Sequence, residues 1–468
     1  MTGREKTAAG AAAILTIGIT GYSVWKLLGV GILSWHVGQP ETISMMLELL
    51  VVWLLLFLFF VAGELSRQGI AGERPGRGRK QAFRSGGAGA QPGRSWQLLS
   101  RCGIIAVLLG FGWLHELLLP MVFTGIYTGY LILAGMWFAR TYLRRRFDVC
   151  WNFLMGSAVT ITAFCALSLV QQGSIRKLRL WVLATGVLLV VWKINVWRIE
   201  RRNGQVGGHR DGQIAGRQSG QFGGRRSGQV GRKSVTEQAC STNFNWNFSK
   251  TLHAAMLAAI LTLVLLQAGR MNLAVDFDSI WYGVRSDVML NSGNGIYENL
   301  GTLGVVYTYS KGFETLCLPL AGLPSYSFTI AMNLWVAGMV LMAGYSTARI
   351  CLDRGQALWV PFLMAALPGI MNMADTAKAD LMTVFCQLLM VQGVFRYIRE
   401  RRADWLVAGM AAGGVSLTLK PTAVVFSPAI VGMSFLWILW DRVHSSGRVC
   451  SKAKKPGAGI GGGNTGAG

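Results

Sequence analysis

Two carboxylates, Asp276 and Asp278, stand where an apolar run ending near Ala268 gives way to a long polar segment. At spacing i and i+2, two side chains share a face only on an extended backbone, whereas on a helix they diverge by about 200°. An extended segment therefore allows both aspartates to hold a divalent cation. A helical segment leaves a single aspartate to act as a base or ligand. A third interpretation is that both aspartates begin a solvated loop and have no role in a site.

A second group of charges interrupts the apolar C-terminal half, in Asp375, Lys378, Asp380 and Lys420. One interpretation of the first three is a helix start, where carboxylates complement the helix dipole and Asp375 pairs with Lys378. The other is a site for a phosphate leaving group, with Lys378 as the cation. Lys420 lies in an apolar stretch, so its ammonium either extends to the interface or binds an anion such as a lipid phosphate.

The composition is that of a polytopic membrane protein. Of 468 residues, 52% are hydrophobic and 14% charged, the mean hydropathy is +0.41, and the apolar residues fall in long blocks. The net charge of +24 comes from Lys and Arg in the connecting loops, which is the positive-inside pattern and argues against a nucleic-acid partner. The eight cysteines form no CxxC motif, which favours buried thiols over a metal site.

The apolar blocks predict an all-α fold with about twelve transmembrane helices and both termini in the cytoplasm. Two short final spans turn at Lys420-Pro421, and residues 272–324 form a long outer loop with a short interfacial helix around Ile280 to Val288. This topology places all the charges named above on one outer face. The basic residues Arg176, Lys177 and Arg179 fall on that face too, which counts against the topology.

Four segments are predicted. Residues 1–199 hold N-terminal spans with basic cytoplasmic loops, 200–249 a basic Gly-rich disordered loop, 250–440 a second membrane module, and 441–468 a disordered tail. An eight-residue repeat between Gly204 and Val235 is too short to bury a face as a solenoid, so contact with anionic lipid is the favoured role. RNA binding is a remote alternative because aromatic residues are nearly absent.

The sequences AVDFDSIWYGVRSD, DTAKAD and LTLKPT, within a stretch from Thr251 to about Trp440, resemble the GT-C superfamily of membrane glycosyltransferases. The protein O-mannosyltransferase and aminoarabinose transferase branches are the most similar in style. The resemblance implies a polyprenyl-phosphate sugar donor and a glycan, lipid or protein acceptor outside the cytoplasm of a bacterial plasma membrane. Such enzymes continue beyond the point matching Trp440, so a truncated member is also an interpretation.

The resemblance also implies roles for individual residues. Asp278, or Asp276 in its place, acts as the catalytic base, and the same pair are the ligands of any divalent cation; no other cofactor is implied. Lys378, Lys420 and Arg270 engage the donor phosphate, with Asp375 and Asp380 beside them. Two other functions stay open: a transporter or flippase of a lipid-linked intermediate, and an inactive membrane scaffold.

Overall fold

The computed structural model describes residues 39–72, 92–218, 248–272, 279, 291–299 and 311–452, together with 14, 18, 21–22 and 25–26 near the N-terminus. These residues form helices and connecting turns, and no strand occurs among them. An all-α fold is thereby confirmed. Most of the first span that the sequence predicts, which reaches about Leu33, lies outside the described residues, and so does the predicted interfacial helix of residues 280–288.

Fourteen α-helices follow one another along the described chain. They are α1 Pro40–Gly72, α2 Pro92–Leu114, α3 Leu118–Thr141, α4 Val149–Leu169, α5 Ile175–Gln218, α6 Phe248–Arg270, α7 Gly312–Cys317, α8 Ser327–Cys351, α9 Arg354–Ala357, α10 Trp359–Ala366, α11 Pro368–Ala374, α12 Asp380–Glu400, α13 Asp404–Leu419 and α14 Ala423–Lys452. Short 3-10 helices occupy Gly295–Tyr297 and Leu318–Leu320. Helices α5 and α14 extend past the apolar stretches that end near residues 199 and 440.

Nine of these helices are long and apolar enough to cross a membrane, so a multi-pass membrane protein is confirmed for the described part. The predicted turn at Lys420-Pro421 is also confirmed, since it separates α13 from α14. The sequence also predicts one span over the apolar stretch Leu358 to Met371, but this stretch is not a single helix: α10 and α11 meet at an angle of 69°. Pro368 causes the break, because it lacks an N–H and keeps Leu367 extended.

The chain divides into two compact units. One unit comprises Met1–Phe111 and Phe248–Leu266, and the other comprises Gly112–Asn247 and Gln267–Gly468. Within the first unit, the Ser100 hydroxyl donates to the Phe59 carbonyl at 2.6 Å and the Trp53 indole donates to the Ala255 carbonyl at 3.3 Å. The second unit holds all the described candidate site residues.

The core of the second unit is built around α8, which is buried along most of its length and packs against α3 and α12. Helices α3 and α4 approach each other at a pair of glycines, Gly135 and Gly156. A Cβ atom at Gly156 would lie 1.7 Å from the Leu131 carbonyl oxygen, and one at Gly135 would lie 1.8 Å from the Asn152 carbonyl oxygen. Small residues at this crossing therefore allow backbone contact between two apolar helices, as is common in membranes.

We expect Gly156→Ala to lower the free energy of unfolding by about 1–3 kcal/mol, because the added methyl group forces α3 and α4 apart. Thermal denaturation in detergent measures this loss. The matched control is Gly129→Ala, since no atom lies within 4 Å of a Cβ at this α3 position. Equal stability of the Gly156 variant and the control contradicts the close packing of the two helices.

Helix α12 defines the two ends of the second unit. Its 21 residues span about 30 Å, the thickness of a bilayer core. At its first residue, the Asp380 carboxylate pairs with the Lys420 ammonium at the end of α13. Near its last turn, Arg396 pairs with Asp148 at 2.7 Å, and its guanidinium lies 4.3 Å from the Trp405 ring centre. We call these the Asp380 end and the Arg396 end.

Basic side chains gather at the Arg396 end, where α3, α8 and α12 finish; they include Arg140, Arg144, Arg145, Arg146, Arg349, Arg399, Arg401 and Arg402. Arg179, near the start of α5, lies at the opposite end and binds backbone carbonyls. Its Nε donates to Pro319 at 2.9 Å and its Nη2 donates to Ala321 at 2.7 Å. This guanidinium therefore satisfies the carbonyls that end the 3-10 helix Leu318–Leu320, so its position has a structural cause.

Candidate active site

The predicted base and its alternate, Asp278 and Asp276, lie outside the described residues. Two described residues flank them in the sequence. Arg270, a predicted phosphate-binding residue, lies before them at the end of α6, and Ser279 follows Asp278 directly. The remaining candidates, Asp375 to Asp380 and Lys420, are all described.

Asp375 caps the C-terminus of α11, and its side chain is only 8% exposed. A carboxylate at a helix C-terminus opposes the helix dipole, so the dipole cannot be what stabilises it. The guanidinium of Arg270 supplies the compensating charge, with its Nε atom 3.6 Å from Asp375 Oδ2. The predicted helix start is thus correct for Asp380, which begins α12, and incorrect for Asp375.

Arg270 is held by three side chains at once. Besides its ion pair with Asp375, its Nη1 donates to Gln267 Oε1 at 2.9 Å and to Asn372 Oδ1 at 3.0 Å. The side chain remains 43% exposed. Arg270 therefore joins the end of α6 to the end of α11 while still presenting part of its guanidinium to the surroundings, and its contact with a donor phosphate stays a prediction.

The segment between α11 and α12, residues 375–379, is held by hydrogen bonds from the side chain of Asn333 in α8. The Asn333 amide is fully buried, and its Nδ2 lies 3.3, 2.6 and 3.0 Å from the carbonyl oxygens of Met373, Thr376 and Lys378. Sequence reasoning missed this residue. The sequence does offer one indication of it, because Asn333 is the single amide side chain in the apolar span Ser327–Cys351. Polar residues inside spans are uncommon and tend to form specific polar contacts.

Ser279 contacts the same segment from the polar stretch that begins at Asp276. The Ala377 N–H donates to the Ser279 hydroxyl oxygen at 2.8 Å, and the Ser279 side chain is fully buried. A buried N–H that loses its acceptor costs about 1–3 kcal/mol, so this bond is a specific anchor. Nothing in the sequence distinguishes Ser279 from other loop serines, which explains why it was missed.

Lys420 and Asp380 form a direct ion pair across the start of α12 and the end of α13, and their side chains are 34% and 23% exposed. Lys420 thus has an anionic partner within the protein, Asp380. From the sequence alone, a lipid phosphate was one anion that Lys420 could bind. Lys378 is half-buried in the adjoining segment. Three cations and two carboxylates among the predicted residues, Arg270, Lys378, Lys420, Asp375 and Asp380, therefore share one end of the unit.

A further ion pair lies beside this group. Lys311 and Glu314 are 4.0 Å apart at the start of α7, with side chains 16% and 14% exposed. The neighbouring Gly312 touches the end of α13, since a Cβ there would lie 2.7 Å from the Thr418 carbonyl oxygen. The sequence predicts an ordinary interface pair for these two residues, and the structure places that pair near Lys420.

A metal site built only from described residues finds no support. No group of three or more His, Cys, Asp or Glu side chains with suitable spacing for a metal occurs among them. Asp276 and Asp278 lie outside the described residues, so a divalent cation bound by these two aspartates stays a prediction.

Similarity to a known family covers the chain from the end of α7 to the end of α14. Residues 315–455 match the dolichyl-phosphate-mannose-protein mannosyltransferase family. The matched region includes Asn333, Asp375, Lys378, Asp380 and Lys420, and it covers less than a third of the chain. No curated protein and no solved structure matches the chain. The resemblance to GT-C glycosyltransferases is thereby confirmed over this region, and membrane glycosyltransferase activity is the function it supports.

Proposed function

We propose that this protein transfers a sugar from a polyprenyl-phosphate donor to an acceptor at the outer face of a bacterial plasma membrane. The observation that carries the proposal is the hydrogen bond between Ala377 and Ser279, at 2.8 Å. It joins the residue after Asp278 to the segment that contains Asp375 and Lys378. This bond supports the proposal that the predicted base, Asp278, acts beside the predicted phosphate-binding residue, Lys378.

In the proposed reaction, Asp278 accepts the proton of the acceptor hydroxyl, and the hydroxyl oxygen bonds to the anomeric carbon of the sugar. The bond between that carbon and the phosphate oxygen breaks, and its electron pair stays on the polyprenyl phosphate. Lys378 and Lys420 stabilise the negative charge that develops there. Fixed cations act more strongly in a partly desolvated site than in water, and a positioned base contributes about 10²- to 10⁴-fold in rate.

The orientation follows from the distribution of charge. Basic residues cluster at the Arg396 end, and the positive-inside rule assigns such an end to the cytoplasm. The Asp380 end then faces outward. Both termini are proposed to be cytoplasmic, and the basic residues of the inner loops contact anionic lipids.

Reconstitution in proteoliposomes tests this function. Purified protein, a labelled polyprenyl-phosphate sugar and a membrane extract as the source of acceptors are expected to yield labelled product together with unlabelled polyprenyl phosphate. Movement of intact donor between leaflets without product favours the flippase alternative. A protein that does neither is a membrane scaffold, and either outcome refutes the proposed transfer.

Ser279→Ala is expected to lower kcat roughly tenfold, because the buried Ala377 N–H loses its acceptor and the segment after Asp278 loses its anchor. Thr418→Ala is the matched control, since that hydroxyl lies at the same end and donates to the Val415 carbonyl of its own helix at 2.8 Å. Transfer assays on both variants make the comparison. Equal kcat for the two variants contradicts the anchoring role of Ser279.

A further inference from the structure

Residues 291–299, which we call the docked turn, rest on the connection between α4 and α5. The Gly173 N–H donates to the Gly293 carbonyl oxygen at 2.7 Å. The Tyr297 hydroxyl lies beside the Cys165 thiol of α4, and this contact raises the pKa of Tyr297. Backbone and side-chain contacts therefore join the long polar segment to the α4–α5 connection, at a place that the predicted reaction does not use.

The contact requires glycine at two positions. A Cβ at Gly293 would lie 2.8 Å from the Gln171 carbonyl oxygen. At Gly295, φ is +50°, and a Cβ would lie 2.6 Å from Ser168 Oγ and 2.7 Å from the Gly173 carbonyl oxygen. A side chain at 293 thus pushes two backbones apart, and one at 295 adds conformational strain to the clash.

The docked turn is also held by its own side chains. The hydroxyl of Ser292 and the Nδ2 of Asn294, the latter at 3.0 Å, both donate to the Glu298 carboxylate. These bonds, that of Ser292 first, lower the pKa of Glu298. The Ser292 hydroxyl oxygen in turn accepts from the Asn294 N–H at 3.0 Å. The turn therefore keeps its shape while its two glycines meet the α4–α5 connection.

We infer that Gly293 and Gly295 are positioning residues for the proposed transferase. The polar segment that opens with Asp276 and Asp278 is bound at Ser279 and again at Gly293, so the docked turn is its second anchor. This role rests on the proposed function. Since a misplacement of about 1 Å costs up to ~100-fold in rate, Gly295→Ala is expected to lower kcat roughly 10- to 100-fold. The KM for the donor stays unchanged, because Lys378 and Lys420 are not altered.

A disulfide across the contact separates positioning from folding. The ideal Cβ of residue 293 lies 3.5 Å from the Gln171 Cβ, within the ~3.5–4.5 Å range of disulfides. In the double variant Gln171→Cys/Gly293→Cys, we expect a low kcat when reduced, because the new side chain meets the Gln171 carbonyl. Oxidation closes the bond without removing this clash, so kcat stays low, while the bond itself shows that the variant is folded with residue 293 beside residue 171. A protease site inserted within residues 219–247 reports the bond, since cleaved fragments stay joined until reduction.

The two single cysteine variants and the wild type are the controls for oxidation and for bonds to native cysteines. A wild-type kcat in Gly295→Ala, or in the reduced double variant, overturns the inference. So does failure of the bond to form while the wild type transfers sugar. A wild type that forms no product overturns the proposed function instead, and with it the role of the turn, whether or not the cross-link forms.

Discussion

Asp278→Asn is expected to lower kcat by about 10²- to 10⁴-fold while leaving the KM for the donor nearly unchanged, because an amide cannot accept the acceptor's proton. Initial rates of sugar transfer at several donor concentrations measure both constants. The variant keeps the size of the side chain and removes its charge, so the loss reports on chemistry rather than on packing. Activity equal to wild type removes Asp278 from the mechanism.

Asp276→Asn is the matched comparison, and it distinguishes the two geometries that the sequence left open. With one aspartate facing the site, the Asp276 variant loses much less activity than the Asp278 variant. With an extended backbone and a shared cation, both variants lose activity alike and a chelator inhibits the wild type. Equal losses together with inhibition by a chelator therefore replace the single-base mechanism by a metal-assisted one.

Lys420→Met is expected to lower kcat/KM by about 10²-fold, because the departing phosphate loses a cation in a partly desolvated site. Lys420→Arg retains the charge and keeps most of the activity. The informative control is Asp380→Asn, which breaks the ion pair between Asp380 and Lys420 but leaves the ammonium in place. Transfer rates and thermal stability are measured for all three variants.

The comparison separates catalysis from structure. If Lys420 serves only its ion pair, Lys420→Met and Asp380→Asn reduce transfer and stability to the same extent, which contradicts a phosphate-binding role. If Lys420 contacts the phosphate, its loss reduces transfer far more than the loss of Asp380 does. Both side chains are partly exposed, so the stability change from breaking the pair is small in either case.

The membrane-spanning architecture was predictable from the sequence because apolar runs of sufficient length have few alternatives to a helix in lipid. The break after Leu419 followed from Lys420-Pro421, where both the charge and the proline disfavour a continuous span. The bend between α10 and α11 was not predicted, although Pro368 marks it. A proline in an apolar run does not by itself indicate whether a span bends or ends.

For the candidate site, the sequence predicts only that its charged residues lie on the same face of the membrane. Charges near the ends of spans have to lie near an interface, so the sequence brings Asp380 and Lys420 to the same side. Their pairing, and that of Arg270 with Asp375, depends on which helices are neighbours, which apolar periodicity does not specify. The contribution of Asn333 depends on tertiary packing in the same way. Three backbone carbonyls meet its amide only after α8 and α11 have packed.

The most direct test of the central claim is sugar transfer in sealed membrane vesicles whose sidedness is known. Cys351 ends α8 at the Arg396 end and is exposed, so in a variant that keeps only this cysteine, an impermeant thiol reagent reports which face is outside. Labelled polyprenyl-phosphate sugar is added from outside. We predict product only in vesicles whose Cys351 is protected from the reagent. Product in vesicles whose Cys351 reacts contradicts a site at the Asp380 end.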